Sequence, residues 1–365
     1  MSDTTMSTRR HGAQAGNDYG YANARLRGMR SRLLERPFLD SLIEEPTVTR
    51  LVQDLSETEY GPYLEESLIH GLDATNVDVA LKNNMVYTFQ KIMGFLNPEA
   101  AYLVTTLLGR WDIFNIKTIL RAKHHHLSLD ELRQGLLPAG ELSPTDLDAL
   151  ASVDDIRAVV DTAATWGLPT ASALRDGYAE FMRDGELASL ELALDRYYTD
   201  WAESRLSRRG ANNRMARRVL ATQVDVSNLV MVLRLQSADV ESVDASKFFL
   251  AGGDIVTPEL YLQLAAMSDI DEVLDRLRGT AYGRALDEVS MDYLEQNSIS
   301  VFERALEDLF TRRALGIAKG DPLGIGVAIA YLWAKQNEIT NLRIIVKGKS
   351  VGMPMDRVRK ELILV

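Results

Sequence analysis

The chain has 365 residues, of which 46% are hydrophobic and 25% charged, a balance typical of a soluble globular protein. Its length predicts two or three domains rather than one core. The net charge of −11 argues against nucleic acid or a broad anionic lipid surface as a partner, because phosphate binding depends on clustered Lys and Arg. The absence of cysteine excludes disulfides, thiolate metal ligands and cysteine nucleophiles.

The first 17 residues are rich in Ser, Thr and Gly and have no apolar periodicity, so residues 1–17 are predicted to form a mobile tail. They also lack the apolar run of a signal peptide. The most apolar stretch of the chain, from Pro322 to Ala334, is too short to cross a bilayer, which needs about twenty apolar residues. We therefore expect no transmembrane span.

The densest positive patch follows this tail. Its arginines are Arg25, Arg27, Arg30, Arg32 and Arg36. Such a run is more often a solvated face than a binding site. The alternative is a docking surface for an acidic partner, because Arg makes bidentate contacts with carboxylates. Exposed loops near Gly140 and Gly253 are the other candidate partner contacts.

One template occurs three times: an acid, two residues, Asn, an apolar residue, two residues, two apolar residues and a basic residue. The copies carry Asp112, Asn115 and Arg121, then Asp225, Asn228 and Arg234, then Glu338, Asn341 and Lys347. The intervals from 115 to 228 and from 228 to 341 are both 113 residues. This predicts three diverged copies of one unit, at 18–134, 135–247 and 248–365, with a period far above the roughly 20–50 residues of solenoid repeats.

Each unit is predicted to be helical. Within 189–206 and 298–315, apolar residues recur at three- and four-residue spacing, as one face of a helix requires, and no comparable stretch alternates as a strand would. Ser143-Pro144 and Thr257-Pro258 indicate capped helix starts. Three aromatic-glycine pairs are predicted to close helical stretches: Tyr60-Gly61, Trp166-Gly167 and Tyr282-Gly283. The expected fold class is therefore all-α.

The short chemical motifs do not indicate a catalytic, cofactor or metal site. Gly348-Lys349-Ser350 ends like a phosphate loop, but Arg343 stands where the first glycine is required. The three histidines at 124–126 point about 100° apart on a helix and cannot converge on one ion, so a polar helix end is the favoured interpretation. Asp154-Asp155 lacks the third aspartate of a magnesium-binding motif. We expect the three template asparagines to hydrogen-bond a neighbouring backbone segment inside each unit.

These residues together resemble the C subunit of the archaeal and bacterial V/A-type rotary ATPases, a family that is also similar to the d subunit of eukaryotic vacuolar ATPases. The segments that carry the resemblance are DYGYANARLRGMRSRLL (18–34), LLGRWDIFNIKTILRAK (107–123), VDVSNLVMVLRLQ (224–236), FFLAGGDI (248–255) and DPLGIGVAIAYLWAKQNEITNLRIIVKGK (321–349). The resemblance extends over nearly everything from Asp18 onward, in the same order and spacing.

The resemblance implies three similar helical domains in a pseudo-threefold funnel that acts as a non-catalytic central-stalk adaptor. Its partners would be the proteolipid ring of the membrane sector and the D and F subunits of the central shaft. It would lie on the cytoplasmic face of the membrane and transmit torque for proton or sodium transport coupled to ATP hydrolysis or synthesis. Two alternatives stay open: a free cytosolic all-helical scaffold that binds other partners, and, more weakly, an all-helical enzyme with an unrecognised site.

Overall fold

Helices make up the regular secondary structure of the computed structural model, which describes residues 19–237 and 244–364. No strand occurs in these two ranges, so the all-α expectation is confirmed for them. The tail predicted at 1–17 lies outside the described residues. None of the described helices combines the length and apolar character that a membrane crossing requires.

Twenty α-helices follow one another in the described ranges. The first eight are α1 (Gly20–Arg30), α2 (Arg36–Glu44), α3 (Val48–Ser56), α4 (Gly61–Ser67), α5 (Ala74–Met93), α6 (Pro98–Leu108), α7 (Arg110–His124) and α8 (Leu129–Gly135). The next five are α9 (Pro144–Ser152), α10 (Ile156–Thr165), α11 (Ala171–Asp184), α12 (Leu187–Leu206) and α13 (Ala211–Ser237). The last seven are α14 (Pro258–Ala265), α15 (Ile270–Leu277), α16 (Ala281–Asp287), α17 (Ser290–Gln296), α18 (Ser300–Gly320), α19 (Gly326–Ser350) and α20 (Met355–Glu361).

The helix starts follow the period seen in the sequence. The long helices α5, α12 and α18 begin at Ala74, Leu187 and Ser300, and both intervals are 113 residues. Each buries a leucine completely six or seven positions after its first residue, and these leucines are Leu81, Leu194 and Leu306. The periodic sequence thus produces a periodic order of helices with the same apolar face turned inward.

A second set of long helices carries the template: α7, α13 and α19. In the first copy the run-up helix α6 is separated from α7 only by Gly109, which keeps helical dihedral angles (φ −55°, ψ −20°). A Cβ at Gly109 would lie 2.8 Å from the Trp201 ring, so the glycine lets α12 approach closely. In the other two copies the run-up and the template form one continuous helix.

The template helices pack in a cyclic order. Helix α7 contacts α12, α13 contacts α18, and α19 contacts α5, so that each template helix packs on the long helix of the next copy and the third packs on the first. Most buried apolar side chains of the described residues, from all three sequence copies, belong to one hydrophobic core. Burial of this shared core ties the units together.

The predicted helix starts at Ser143 and Thr257 are confirmed, since the hydroxyl of each accepts the amide of the residue three positions later. The prediction that aromatic-glycine pairs close helices is wrong in two of three cases. Gly61 opens α4, and Tyr282-Gly283 lies in the first turn of α16, whereas Trp166 does follow the last residue of α10. At Gly61 and Gly283 an added Cβ would overlap a backbone carbonyl, so close packing accounts for these glycines.

Candidate functional site

The three template asparagines make the same pair of hydrogen bonds. Each amide nitrogen donates to the carbonyl of the residue 22 positions later, and each amide oxygen accepts the N–H of that same residue. The partner residues are Leu137 for Asn115 (2.7 and 2.7 Å), Leu250 for Asn228 (2.8 and 2.9 Å) and Ile363 for Asn341 (2.9 and 3.1 Å). The backbone partner expected of these buried amides is confirmed.

The partners of Asn115 and Asn228 lie at Leu137 and Leu250, just beyond the unit boundaries drawn at 134 and 247. The expectation that each amide bonds inside its own unit is therefore wrong for the first two copies. In those copies the amide joins a template helix to the segment that leads into the next unit.

The template acids bind backbone N–H groups of the loop that follows. Asp112 accepts from Glu141 at 2.8 Å and from Leu142 at 3.0 Å. Asp225 accepts from Ile255 at 3.0 Å and from Val256 at 2.9 Å, so the second copy makes the same kind of bonds to residues one position further along its loop. Gly140 and Gly253 lie against these carboxylates, because an added Cβ would overlap Asp112 or Asp225. Both glycines thus face the inside of the fold.

Two of the three acids also accept a hydrogen bond from a tyrosine of the next copy. The Tyr282 hydroxyl lies 3.0 Å from Asp225 Oδ2. The Tyr60 hydroxyl lies 2.6 Å from Glu338 Oε1, and Glu338 also accepts the backbone N–H of Leu34. Burial and the neighbouring carboxylate raise the pKa of both hydroxyls, which keeps them protonated as donors.

We use the term junction for each place where a template acid meets the following copy. The first junction holds Asp112 with Glu141 and Leu142, the second holds Asp225 with Ile255, Val256 and Tyr282, and the third holds Glu338 with Leu34 and Tyr60. The third junction differs by a buried cation. Lys335 Nζ lies 2.9 Å from the Tyr60 hydroxyl and 2.9 Å from Glu338 Oε1, with only 1% of its side chain exposed.

The first junction differs in the pKa of its acid, Asp112. Burial raises the pKa of the Asp112 carboxyl to about 6, although the two backbone amides oppose the shift. A cavity of about 560 Å³ adjoins this carboxyl, with Trp166 and Trp201 in its walls. No side-chain hydrogen bond to Asp112 occurs among the described residues.

In the first two copies the basic residue of the template contacts the long helix of the following copy. Arg121 binds Glu191 at 2.5 and 2.6 Å, and Arg234 binds Glu303 at 2.7 Å. In the third copy Lys347 is exposed, and Arg343, one turn earlier, pairs with Asp78 of the first copy. These arginines are about half exposed, so such pairs add little stability and chiefly orient the helices.

Equivalent positions of the three copies meet at one point, where the template-bearing helices or their run-up begin. Asn212 lies between Glu99 and Ile325, which are 113 residues away on either side. Its amide nitrogen is 3.4 Å from Glu99 Oε1, and its amide oxygen is 3.5 Å from the Ile325 nitrogen. Tyr19 joins this cluster through bonds to Asn212 (3.0 Å) and Glu99 (3.2 Å).

Three of these features were not predicted from the sequence. The spacing of Lys335 could have indicated its role, because it stands three residues before Glu338 and a lysine can pair with an acid at that spacing on a helix. The contact between Glu99 and Asn212 could have been sought from their 113-residue interval. No local pattern indicates Tyr19, because its partners are distant in sequence.

The arginine patch is largely engaged within the chain. Arg25 lies over the Phe95 ring, Arg27 donates to the Pro322 carbonyl at 2.5 Å, and Arg32 pairs with Glu59 at 2.9 Å. Arg30 and Arg36 line a pocket beside the third junction. Both residues are exposed, and Arg36 Nε lies 3.7 Å from Asp40 Oδ2 one turn later on α2.

The remaining motifs have structural roles within the described residues. Gly348-Lys349-Ser350 lies in the last turn of α19, and Lys349 donates to the carbonyls of Ile43 and Glu45. His124 ends α7, which confirms the polar helix end, and Asp155 caps α10. Within 19–237 and 244–364, no group of three or more metal-ligating side chains could hold an ion.

Comparison with known proteins gives the family. The sequence profile of the ATP synthase (C/AC39) subunit family matches residues 22–361. The chain is 28% identical to the A-type ATP synthase C subunit of Methanocaldococcus jannaschii over 345 residues, which cover 94% of this chain and 86% of the relative. It is 28% identical to the V-type ATP synthase C subunit of Deinococcus radiodurans over 345 residues, which cover 94% and 91%. The chain therefore belongs to the ATP synthase (C/AC39) subunit family.

Proposed function

We propose that the chain is a non-catalytic central-stalk adaptor of a V/A-type rotary ATPase or synthase. In this proposal its three helical units form a pseudo-threefold funnel. The funnel links the proteolipid ring of the membrane sector to the D and F subunits of the shaft on the cytoplasmic face of the membrane. Relatives that are named as the C subunits of A-type and V-type ATP synthases support membership of such a complex.

The observation that carries the proposal is the meeting of Glu99, Asn212 and Ile325, which occupy equivalent positions 113 residues apart. Contacts between equivalent residues of successive copies are expected close to an axis that relates the copies, and the packing order of the helices distinguishes this arrangement from an open stack. The cyclic packing of α7 on α12, α13 on α18 and α19 on α5 agrees with a closed arrangement around that axis. An open row of copies would leave α19 without such a partner.

Torque transmission requires a stiff body, and the internal contacts support this role. One close-packed core runs through all three units, and close-packed interiors deform little. The bonds at the junctions add ties of defined geometry between successive copies. The cation at the third junction, Lys335, ties the last copy to Tyr60 of the first.

The partner-facing surfaces follow from the same proposal. Arg30 and Arg36 are the arginines of the N-terminal patch best placed for an acidic partner, because they are exposed beside a pocket. Gly140 and Gly253 face the template acids, so any partner contact in their loops falls to neighbouring exposed residues such as Glu141.

Site-specific cross-linking tests the proposal. The chain has no cysteine, so a single cysteine at exposed Leu323 or exposed Met291 carries one photo-cross-linker at a known place. In complexes purified from membranes of the source cells, we expect cross-links to the proteolipid or to the D and F subunits. A free scaffold predicts that the chain stays in the soluble fraction without such cross-links, and that result would overturn the proposal.

A further inference from the structure

The first junction lacks a contact that the other two possess. At the second and third junctions a tyrosine hydroxyl donates to the template acid, at 3.0 Å for Asp225 and 2.6 Å for Glu338. At the first junction the described donors to Asp112 are the backbone N–H groups of Glu141 and Leu142. A carboxylate offers about four acceptor positions, so Asp112 has room for a further donor.

The sequence explains the difference. Tyr60 and Tyr282 each stand 13 positions after the residue that caps the preceding helix, which is Thr47 for α3 and Asp269 for α15. The equivalent cap of α10 is Asp155, and the residue 13 positions after it is Leu168. A leucine, which has no hydrogen-bond donor, therefore stands where the other copies place a phenol ring.

A cavity occupies the corresponding space. Its volume of about 560 Å³ lies in the range of about 300–1,000 Å³ typical of small-molecule sites. Its apolar and aromatic walls include Ile113, Trp166, Leu168, Tyr197, Tyr198 and Trp201. The hydroxyl of Thr170, which is 7% exposed, belongs to the lining and has no hydrogen-bond partner among the described residues.

We propose that this cavity binds a phenol, whose ring packs among the aromatic side chains and whose hydroxyl donates to Asp112. The proposal rests on the first junction itself and does not depend on the proposed function. Aromatic rings pack favourably edge to face or offset, so Trp166 and Trp201 supply suitable walls. The carboxylates of Asp112, Glu141 and Asp146 in the lining favour a donor and disfavour an anion.

Titration of the full chain with p-cresol tests the site. In amide NMR spectra of the deuterated protein, we expect saturable shifts at Glu141 and Leu142, the two donors to Asp112. Ile255 and Val256, the equivalent donors at the second junction, are the internal control and should not shift. Toluene lacks the hydroxyl and should bind about tenfold more weakly, because a hydrogen bond to a charged acceptor is lost.

The source of the phenol is distinguished by a second ligand. N-Acetyltyrosinamide, which carries the phenol on a peptide backbone, should produce the same shifts if the natural occupant is a tyrosine of another chain. Binding of p-cresol alone assigns the cavity to a small free phenol. Absence of saturable shifts at Glu141 and Leu142, or equal affinity for toluene, overturns the proposal.

Leu168→Tyr gives an independent test, because it places a tyrosine in the cavity wall at the position equivalent to Tyr60 and Tyr282. A folded variant should have a higher melting temperature and should no longer respond to p-cresol at Glu141 and Leu142. Unchanged p-cresol affinity in the folded variant would contradict the assignment. If the variant does not fold, the titration of the unaltered chain still decides the matter.

Discussion

The Tyr60 hydroxyl donates a 2.6 Å hydrogen bond to Glu338, from which it is separated by 278 positions in sequence. Tyr282 makes the equivalent bond to Asp225, over only 57 positions. The chemistry is the same, but the first bond joins the last copy to the first and the second joins neighbouring copies. The bond at Glu338 therefore joins the third copy to the first, and the bond at Asp225 joins the second copy to the third.

Removal of either hydroxyl should destabilise the fold. Tyr60→Phe and Tyr282→Phe each remove a buried donor to a carboxylate, and we expect each to lower the free energy of unfolding by about 1–3 kcal/mol. Urea denaturation measures the change. Tyr87→Phe, at an exposed position on α5, is the matched control and should be neutral. Equal stability of all three variants would show that the hydroxyls add nothing to the junctions.

The template asparagines should be nearly interchangeable in their energetic role. Each of Asn115→Ala, Asn228→Ala and Asn341→Ala removes two hydrogen bonds to one backbone residue, so each should cost about 2–4 kcal/mol. Asn337→Ala is the control, because Asn337 makes one bond to the Ile363 carbonyl, which Asn341 also holds. Chemical denaturation should give a clearly smaller loss for that variant.

How far the sequence predicts this structure depends on whether a contact is marked by a repeated local pattern. Asn115 and its two equivalents share a template, so a buried amide bound to backbone could be inferred from one sequence. Lys335 could not be placed in the same way, because its partner Tyr60 lies 275 positions away. The raised pKa of Asp112 also escaped prediction, since it depends on how loops bury one member of a repeated set.

The buried ion pair at the third junction predicts that loss of one charge destabilises the fold more than loss of both charges. Lys335→Met leaves Glu338 without its cation in a site where only 5% of the Glu338 side chain is exposed, and should cost about 3–5 kcal/mol. The double variant Lys335→Met with Glu338→Gln removes both charges and should recover most of that loss. A double-mutant cycle by urea denaturation measures the coupling, and additive losses would contradict a direct interaction.

The loop glycines should tolerate no side chain. In Gly140→Ala and Gly253→Ala the new Cβ overlaps a carboxylate that is held by backbone bonds, so each variant should lose about 1–3 kcal/mol. Gly316→Ala is the control, because it lies in α18 with no atom near the added Cβ. Thermal unfolding should show that the unfolding free energy of this variant rises by about 0.5–1 kcal/mol, because alanine has a higher helix propensity than glycine. Neutral behaviour at Gly140 and Gly253 would mean that the loops shift freely.

The pKa of Asp112 gives the last prediction, a dependence of stability on pH. Because burial raises this pKa to about 6 from the ordinary 3.8, the folded state binds more protons than the unfolded state between these values, and stability falls as pH rises through that window. Glu141 opposes ionisation as well, and Asp146 lines the same cavity. Relative to Asp112→Asn, which does not titrate, the unaltered chain should lose about 1 kcal/mol of unfolding free energy between pH 5 and pH 7. Urea denaturation of both proteins at each pH measures the difference, and parallel pH profiles would mean that Asp112 titrates normally.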